Sequence, residues 1–132
     1  MIVVDTSTLV AFFLGGDHSG PQIRKTLGAD PGWAAPPHQS VELMNVLRGL
    51  VRGRKITQVH AEGVLRRSKA TYIENLPLTP PVLDRIWDLR GDLTAYAAAY
   101  VAVAEAHGMA LVTGGRQLAR TERIRCELRL VG

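Results

Sequence analysis

An aspartate standing directly after three apolar β-branched residues is the first place in this chain where chemistry suggests itself. The stretch is "MIVVDTST"; the acid is Asp5, with Thr6 and Ser7 behind it. A carboxylate closing a buried strand is where an α/β protein places a metal ligand or catalytic acid. The same residue equally suits capping a following helix. Glu42 is the second candidate. It has His38 four residues before it and Asn45 three after, so helical spacing puts all three on one polar face. A solvated helical glutamate accounts for it as well. Two carboxylates from separate elements are the least that a hard divalent cation such as Mg²⁺ asks for. Asp88 and Asp92 are explained by their places at helix ends. The histidines at 18, 38, 60 and 107 show no HxxxH or HExxH spacing, and His107 suits a partner for a helix C-terminus. Cys126 is the single cysteine, which leaves neither an intrachain disulfide nor a cysteine zinc site and favours a reducing compartment.

The elements that must hold these residues follow from periodicity. "IVV" reads as a short buried strand, and "TSTLVAFFL" has helical spacing through Leu9, Phe12 and Phe13. A second short helix spans His18 to Leu27. "GWAAPP" is a brief strand stopped by prolines. A helix from about His38 to Arg52 carries the apolar stripe Leu43, Met44, Leu47, Leu50 and Val51, and Gly53 ends it. Thr57 caps a helix to about Tyr72. "IENLPL" is a strand, and Thr79 with Pro80 starts a helix to Arg90 that turns Val82, Leu83, Ile86 and Leu89 inward. "LTAYAAAYVAVAEAHG" is a helix capped by Thr94 and followed by Gly108. Ala97 stands where a capping box would put an acid. "MALVT", a short helix at "GRQLAR", and the strand "CELRLV" complete the chain. Strands alternating with helices predict a parallel sheet covered on both faces, with ligands outside the strands' carboxyl ends. Asp5 and the "TGG" turn, Thr113 to Gly115, close two of those ends.

At 132 residues, 46% hydrophobic and 21% charged, the chain suits a single globular domain over 1–132. The apolar N-terminus lacks a basic leader region, so neither a secretory signal nor a membrane span is expected, and the cytoplasm is the natural location. The net charge is +4 and unevenly spread. Arg48, Arg52, Arg54, Lys55, Arg66, Arg67 and Lys69 face only Glu62, and five arginines crowd residues 116–129. Such a surface suits nucleic acid through phosphate contacts; solvated helix faces explain it equally.

Taken in order, "MIVVDTSTLVAFFLGGD", "PPHQSVELMNVLRGLV", "DRIWDLRGDLTAYAAAYVAVAEAHG" and "ALVTGGRQLAR" resemble PIN-domain proteins, specifically the VapC-type toxins of toxin–antitoxin pairs. The resemblance covers nearly the whole chain. It implies an α/β/α sandwich around a short parallel sheet and a metal-dependent endoribonuclease that cuts structured RNA. It also implies a cytoplasmic homodimer held by a cognate VapB-type antitoxin, with no membrane partner. Of the family's four acidic positions, the first matches Asp5 and the second Glu42. The third falls on Ala97 and the fourth on Gly115. The resemblance makes Asp5 and Glu42 the ligands for Mg²⁺ or Mn²⁺, with binding weakened by the two missing acids. Asn45 and Thr113 are expected to support them by hydrogen bonds, and Arg48, Arg52 and Arg116 to meet RNA or antitoxin. Asp92, two residues before the Thr94 cap, is a further acid in that region. An engineered Asp→Ala change, drift in a degenerate copy, or a weak enzyme with another ligand set would each explain the gaps. A silencing Asp→Ala edit is favoured for Ala97. The rival from another class is a non-catalytic PIN-fold module that binds antitoxin or RNA without cutting.

Overall fold

A computed structural model describes residues 1–132. Five short strands form one parallel sheet in the order β3-β2-β1-β4-β5. They are β1 (Ile2–Val4), β2 (Trp33–Ala35), β3 (Ile73–Asn75), β4 (Leu111–Thr113) and β5 (Leu128–Leu130). The helices are α1 (Thr6–Leu14), α2 (Gly16–Ala29), α3 (Gln39–Arg52), α4 (Gln58–Ala70), α5 (Pro80–Asp88), α6 (Ala95–His107) and the single turn α7 (Arg116–Ala119). The chain first builds the sheet outward from β1 through β2 to β3. It then returns across the molecule to place β4 on β1's other side, so the order reverses between β1 and β4.

Side chains on a strand point alternately to opposite faces, and β1 therefore feeds two cores. Ile2 and Val4, with Val112 of β4, pack under Leu9, Val10 and Phe13 of α1, Leu43 and Leu47 of α3, and Val64 of α4. Val3 and Leu111 face the other way, against Val82 and Leu89 around α5 and the run Tyr100 to Ala104 of α6. Two packed layers on one sheet give the α/β/α sandwich. The alanine-rich α6 is buried from Ala98 to Ala104, as expected of a helix that is apolar nearly all round. Gly108 ends it at φ 62°, ψ 33°, the left-handed conformation glycine adopts without penalty.

Three details differ from the periodicity. Met44 belongs by spacing to the apolar stripe of α3 and is 51% exposed. The inward face centres on Leu43 and Leu47, flanked by Val46, Leu50 and Val51, which turns Met44 past its edge. Leu83 likewise is 49% exposed, one residue round from buried Val82 and in line with exposed Trp87. The second helix begins earlier, at Gly16. It breaks at Gly20 (φ 67°, ψ 153°), where Pro21 lacks the N–H that would continue the ladder.

Candidate active site

The site begins where β1 stops. The backbone N–H of Asp5 donates to the Val112 carbonyl of β4 at 3.2 Å, so the parallel ladder itself fixes the residue that follows β1. With Val4 opposite Val112 in register, Asp5 stands beside Thr113. The capping reading of Asp5 holds. Its Oδ1 accepts the Thr8 N–H at 2.9 Å and caps α1, while its Oδ2 accepts the hydroxyl of Thr113. Thr113 is fully buried, and its Oγ1 in turn accepts the Gly115 N–H at 2.9 Å. A chain of bonds thus runs from the turn after β4 to the carboxylate after β1. It straddles the point where the strand order reverses, which is where parallel sheets open a crevice for ligands.

Glu42 arrives from α3, whose first turn follows the Pro36–Pro37 stop of β2. Its Oε1 accepts Thr6 Oγ1 at 2.9 Å and Tyr100 OH at 2.6 Å. The two hydroxyls also lie 2.5 Å from each other. Two hydroxyl protons face three contacts, so either one proton is shared or one contact carries none. His38, on the preceding turn, brings Nε2 to 3.4 Å from the same Oε1 and to 3.3 Å from the Tyr96 carbonyl. Both neighbours are acceptors, so Nε2 carries the proton. Oε1 is crowded with donors, and Oε2 has no protein donor. Burial, and then the bond to Glu42, pushes the Tyr100 hydroxyl far above its usual range, which keeps it a donor. Thr6 directly follows Asp5 and bonds Glu42 by its side chain, so the two carboxylates come from adjoining parts of the fold although 37 positions of sequence, 5 to 42, separate them.

Ala97 lies one turn before Tyr100 on α6, half-buried at the edge of the core, with its N–H capped by Thr94 Oγ1 at 3.2 Å. Gly115 is half-buried at φ −76°, ψ 104°, a conformation open to any residue. A Cβ there would meet Thr113 Oγ1 at 3.1 Å, the hydroxyl that holds Asp5. No backbone requirement calls for glycine. Asn45 is exposed and bonds to neither carboxylate, so the structure brings Thr113 to the site and leaves Asn45 outside it. Arg48, Arg52 and Arg116 are exposed and stand in no ion pair. Asp92 is exposed too, its carbonyl accepting Gln117 Nε2 at 3.0 Å. The residues that sequence reading missed are Tyr100 and Thr6 as holders of Glu42. Their signal was present: Tyr100 is three residues beyond Ala97, and Thr6 follows Asp5.

As a donor set, two carboxylates fit one hard cation of the Mg²⁺ kind, which is held by one or two carboxylates together with water and substrate phosphate. No group of three His, Cys, Asp or Glu side chains assembles here or elsewhere in the molecule. The set therefore does not fit a two-metal arrangement.

The PIN domain family matches residues 2–124 of the chain. A VapC ribonuclease of Mycobacterium bovis is 30% identical over 131 residues, spanning 99% of this chain and 98% of its own length. Among solved structures, VapBC2 of Rickettsia felis, bound to a DNA fragment from its promoter, superposes with a TM-score of 0.70 over 100% of both chains at 14% identity. VapC20 of Mycobacterium tuberculosis, a sarcin–ricin loop cleaving toxin, gives 0.67 at 18% identity over 91% of this chain and 95% of its own. At those identities the two structures speak for the fold alone.

Proposed function

This chain belongs to the PIN-domain family, among the VapC ribonucleases of toxin–antitoxin systems, and from that premise we propose an endoribonuclease toxin whose catalysis is weakened because positions 97 and 115 carry no carboxylate. The observation that carries the reading is that Thr6, the residue after Asp5, bonds Glu42 through its side chain, while Gly115 is joined to Asp5 through Thr113. In this reading Asp5 and Glu42 hold a single Mg²⁺ or Mn²⁺. Such an ion supplies charge neutralisation at a phosphate and lowers the pKa of water. The chain's own groups do the rest. Thr8 and Thr113 fix the direction of Asp5, while Thr6, Tyr100 and His38 fix that of Glu42 through Oε1 and leave Oε2 without a protein donor, able to take a water or a ligand. Cutting structured RNA, pairing with a VapB-type antitoxin and forming a homodimer belong to the same reading. The VapC relative supports the ribonuclease and the toxin–antitoxin setting; the structured substrate and the homodimer rest on the family resemblance.

Gly115→Asp meets no backbone obstacle and asks Thr113 for a few tenths of an ångström. The test compares this chain with an Ala97→Asp, Gly115→Asp double variant on structured RNA, with Mg²⁺, with Mn²⁺ and with a chelator. Metal-dependent fragments should come from the double variant, at least about 100-fold faster than from this chain. Cleavage by neither would sink the nuclease reading and leave the non-catalytic binding module. Equal cleavage by both, abolished in each by Asp5→Ala, would overturn the impairment.

A further inference from the structure

Beside the carboxylates lies a surface that holding Asp5 and Glu42 does not require. Tyr96 opens α6 with its ring 65% exposed, one residue before Ala97, and its hydroxyl bonds to nothing in the protein. Its backbone is tied to a fixed neighbour. His38 Nε2 is fixed on the Tyr96 carbonyl at 3.3 Å, and the two ring centroids lie 6.1 Å apart at 46°. The imidazole is held in turn edge-on against Tyr100 at 5.2 Å and by Glu42 at 3.4 Å. One imidazole therefore separates the Tyr96 ring from a site carboxylate. Along α3 the same side continues as exposed Val41 (67%) and Met44, and then as Arg48 and Arg52, which have no acidic partner.

We infer that Tyr96, backed by His38, is a stacking platform for an unpaired nucleobase next to the phosphate at the carboxylates, with Arg48 and Arg52 meeting the phosphates beyond. This rests on the RNA reading above. The chemistry is that of single-stranded RNA recognition, in which splayed bases stack on aromatic rings while cations follow the backbone. The exposed cations match an anionic chain and argue against an uncharged apolar partner. A tyrosine ring has only two side-chain torsions, and its backbone and neighbour are already fixed, which limits the ordering that stacking requires.

The experiment uses the full chain in the presence of chelator, so that binding is read without cutting. Short RNA hairpins carrying 2-aminopurine at successive loop positions are titrated while fluorescence is followed. One loop position should be quenched several-fold on binding. Tyr96→Phe should keep both quench and affinity. Tyr96→Leu, apolar but without a π face, should lose the quench and weaken binding about 5- to 150-fold. Arg48→Ala should weaken binding and leave the quench at saturation. Circular dichroism of each variant checks that it folds. Binding with no quenched position and no effect of Tyr96→Leu overturns the platform and spares the RNA reading. Failure of any hairpin to bind overturns both. A shift from dimer to monomer on Tyr96→Leu, seen by sedimentation without RNA and with no quench in the parent chain, would make this face a contact between copies and overturn the platform.

Discussion

Tyr100 illustrates how one side chain ties chemistry to packing. Its ring belongs to the core under α6, and its hydroxyl belongs to Glu42. Removing only the oxygen separates the two roles. Tyr100→Phe keeps the ring and withdraws one donor from Glu42 Oε1, leaving Thr6 and His38 as partners. A buried hydrogen bond to a charged group contributes about 1.5–3 kcal/mol. The remaining donors should hold the loss to roughly 1.5 kcal/mol in urea unfolding. In the Ala97→Asp, Gly115→Asp background the same change should lower kcat about 10-fold and leave KM for RNA unchanged. It disturbs the aim of Glu42 and touches no RNA-facing group. A fall in stability with unaltered kcat would show the hydroxyl to be structural only.

At the scale of elements, α5 and α6 are clamped at the far end from the site. Arg85 donates Nε to Glu105 Oε1 at 2.8 Å, Nη1 to Asp88 at 2.7 Å and Nη2 to the Arg123 carbonyl at 2.6 Å. The Arg85 and Glu105 side chains are only 12% and 11% exposed. Breaking a pair so enclosed leaves a buried charge behind, so Arg85→Met should cost about 3 kcal/mol. Arg85→Met with Glu105→Gln should recover much of that, read as a non-additive double-mutant cycle in thermal unfolding. Cys126 lies beside this clamp. Burial, and then the Glu105 charge, pushes its thiol up to about 11. In the unfolded chain the thiol ionises near its ordinary value of about 8.5. Its contribution to stability is therefore full below that value and is lost as the pH rises through about 11. Cys126→Ala should flatten the alkaline limb of the stability–pH curve; an unchanged limb would remove Cys126 as its source.

The whole molecule is a basic one, with net charge +4 and a pI near 9.7. Its six ion pairs draw on Arg85, Arg123, Arg129, His38 and the N-terminus, which leaves Arg48, Arg52 and Arg116 uncompensated. RNA affinity should therefore fall linearly on a log–log plot against salt. Arg48→Ala should reduce the slope by about 1 and weaken binding to all sequences alike. A slope that does not change would take Arg48 out of the interface. No helix is long and apolar enough to cross a membrane.

The run Ile2–Val4 ending in Asp5, the prolines after β2, the Thr57 and Thr94 caps and Gly108 are local signals. Each acts through its own backbone or its nearest turn, so the sequence alone determined the alternation of strands and helices and the covered parallel sheet. The resemblance of its segments, and no local rule, singled out Asp5, Glu42, Ala97 and Gly115 for the site proposed above. Periodicity misjudged Met44 and Leu83, because it marks an apolar stripe and cannot say how far the neighbouring layer reaches round the helix. Asn45 was expected at the site for sharing a helix face with Glu42, yet a helix face is wider than a hydrogen bond is long. What only the tertiary structure decided is how the two carboxylates are held. Thr113 reaches Asp5 across the β1–β4 ladder, and Tyr100 and Thr6 converge on one oxygen of Glu42 from elements 94 positions apart. Strand register and helix docking set those contacts. Both depend on the packing of two cores against one sheet, which no local stretch of this chain encodes by itself.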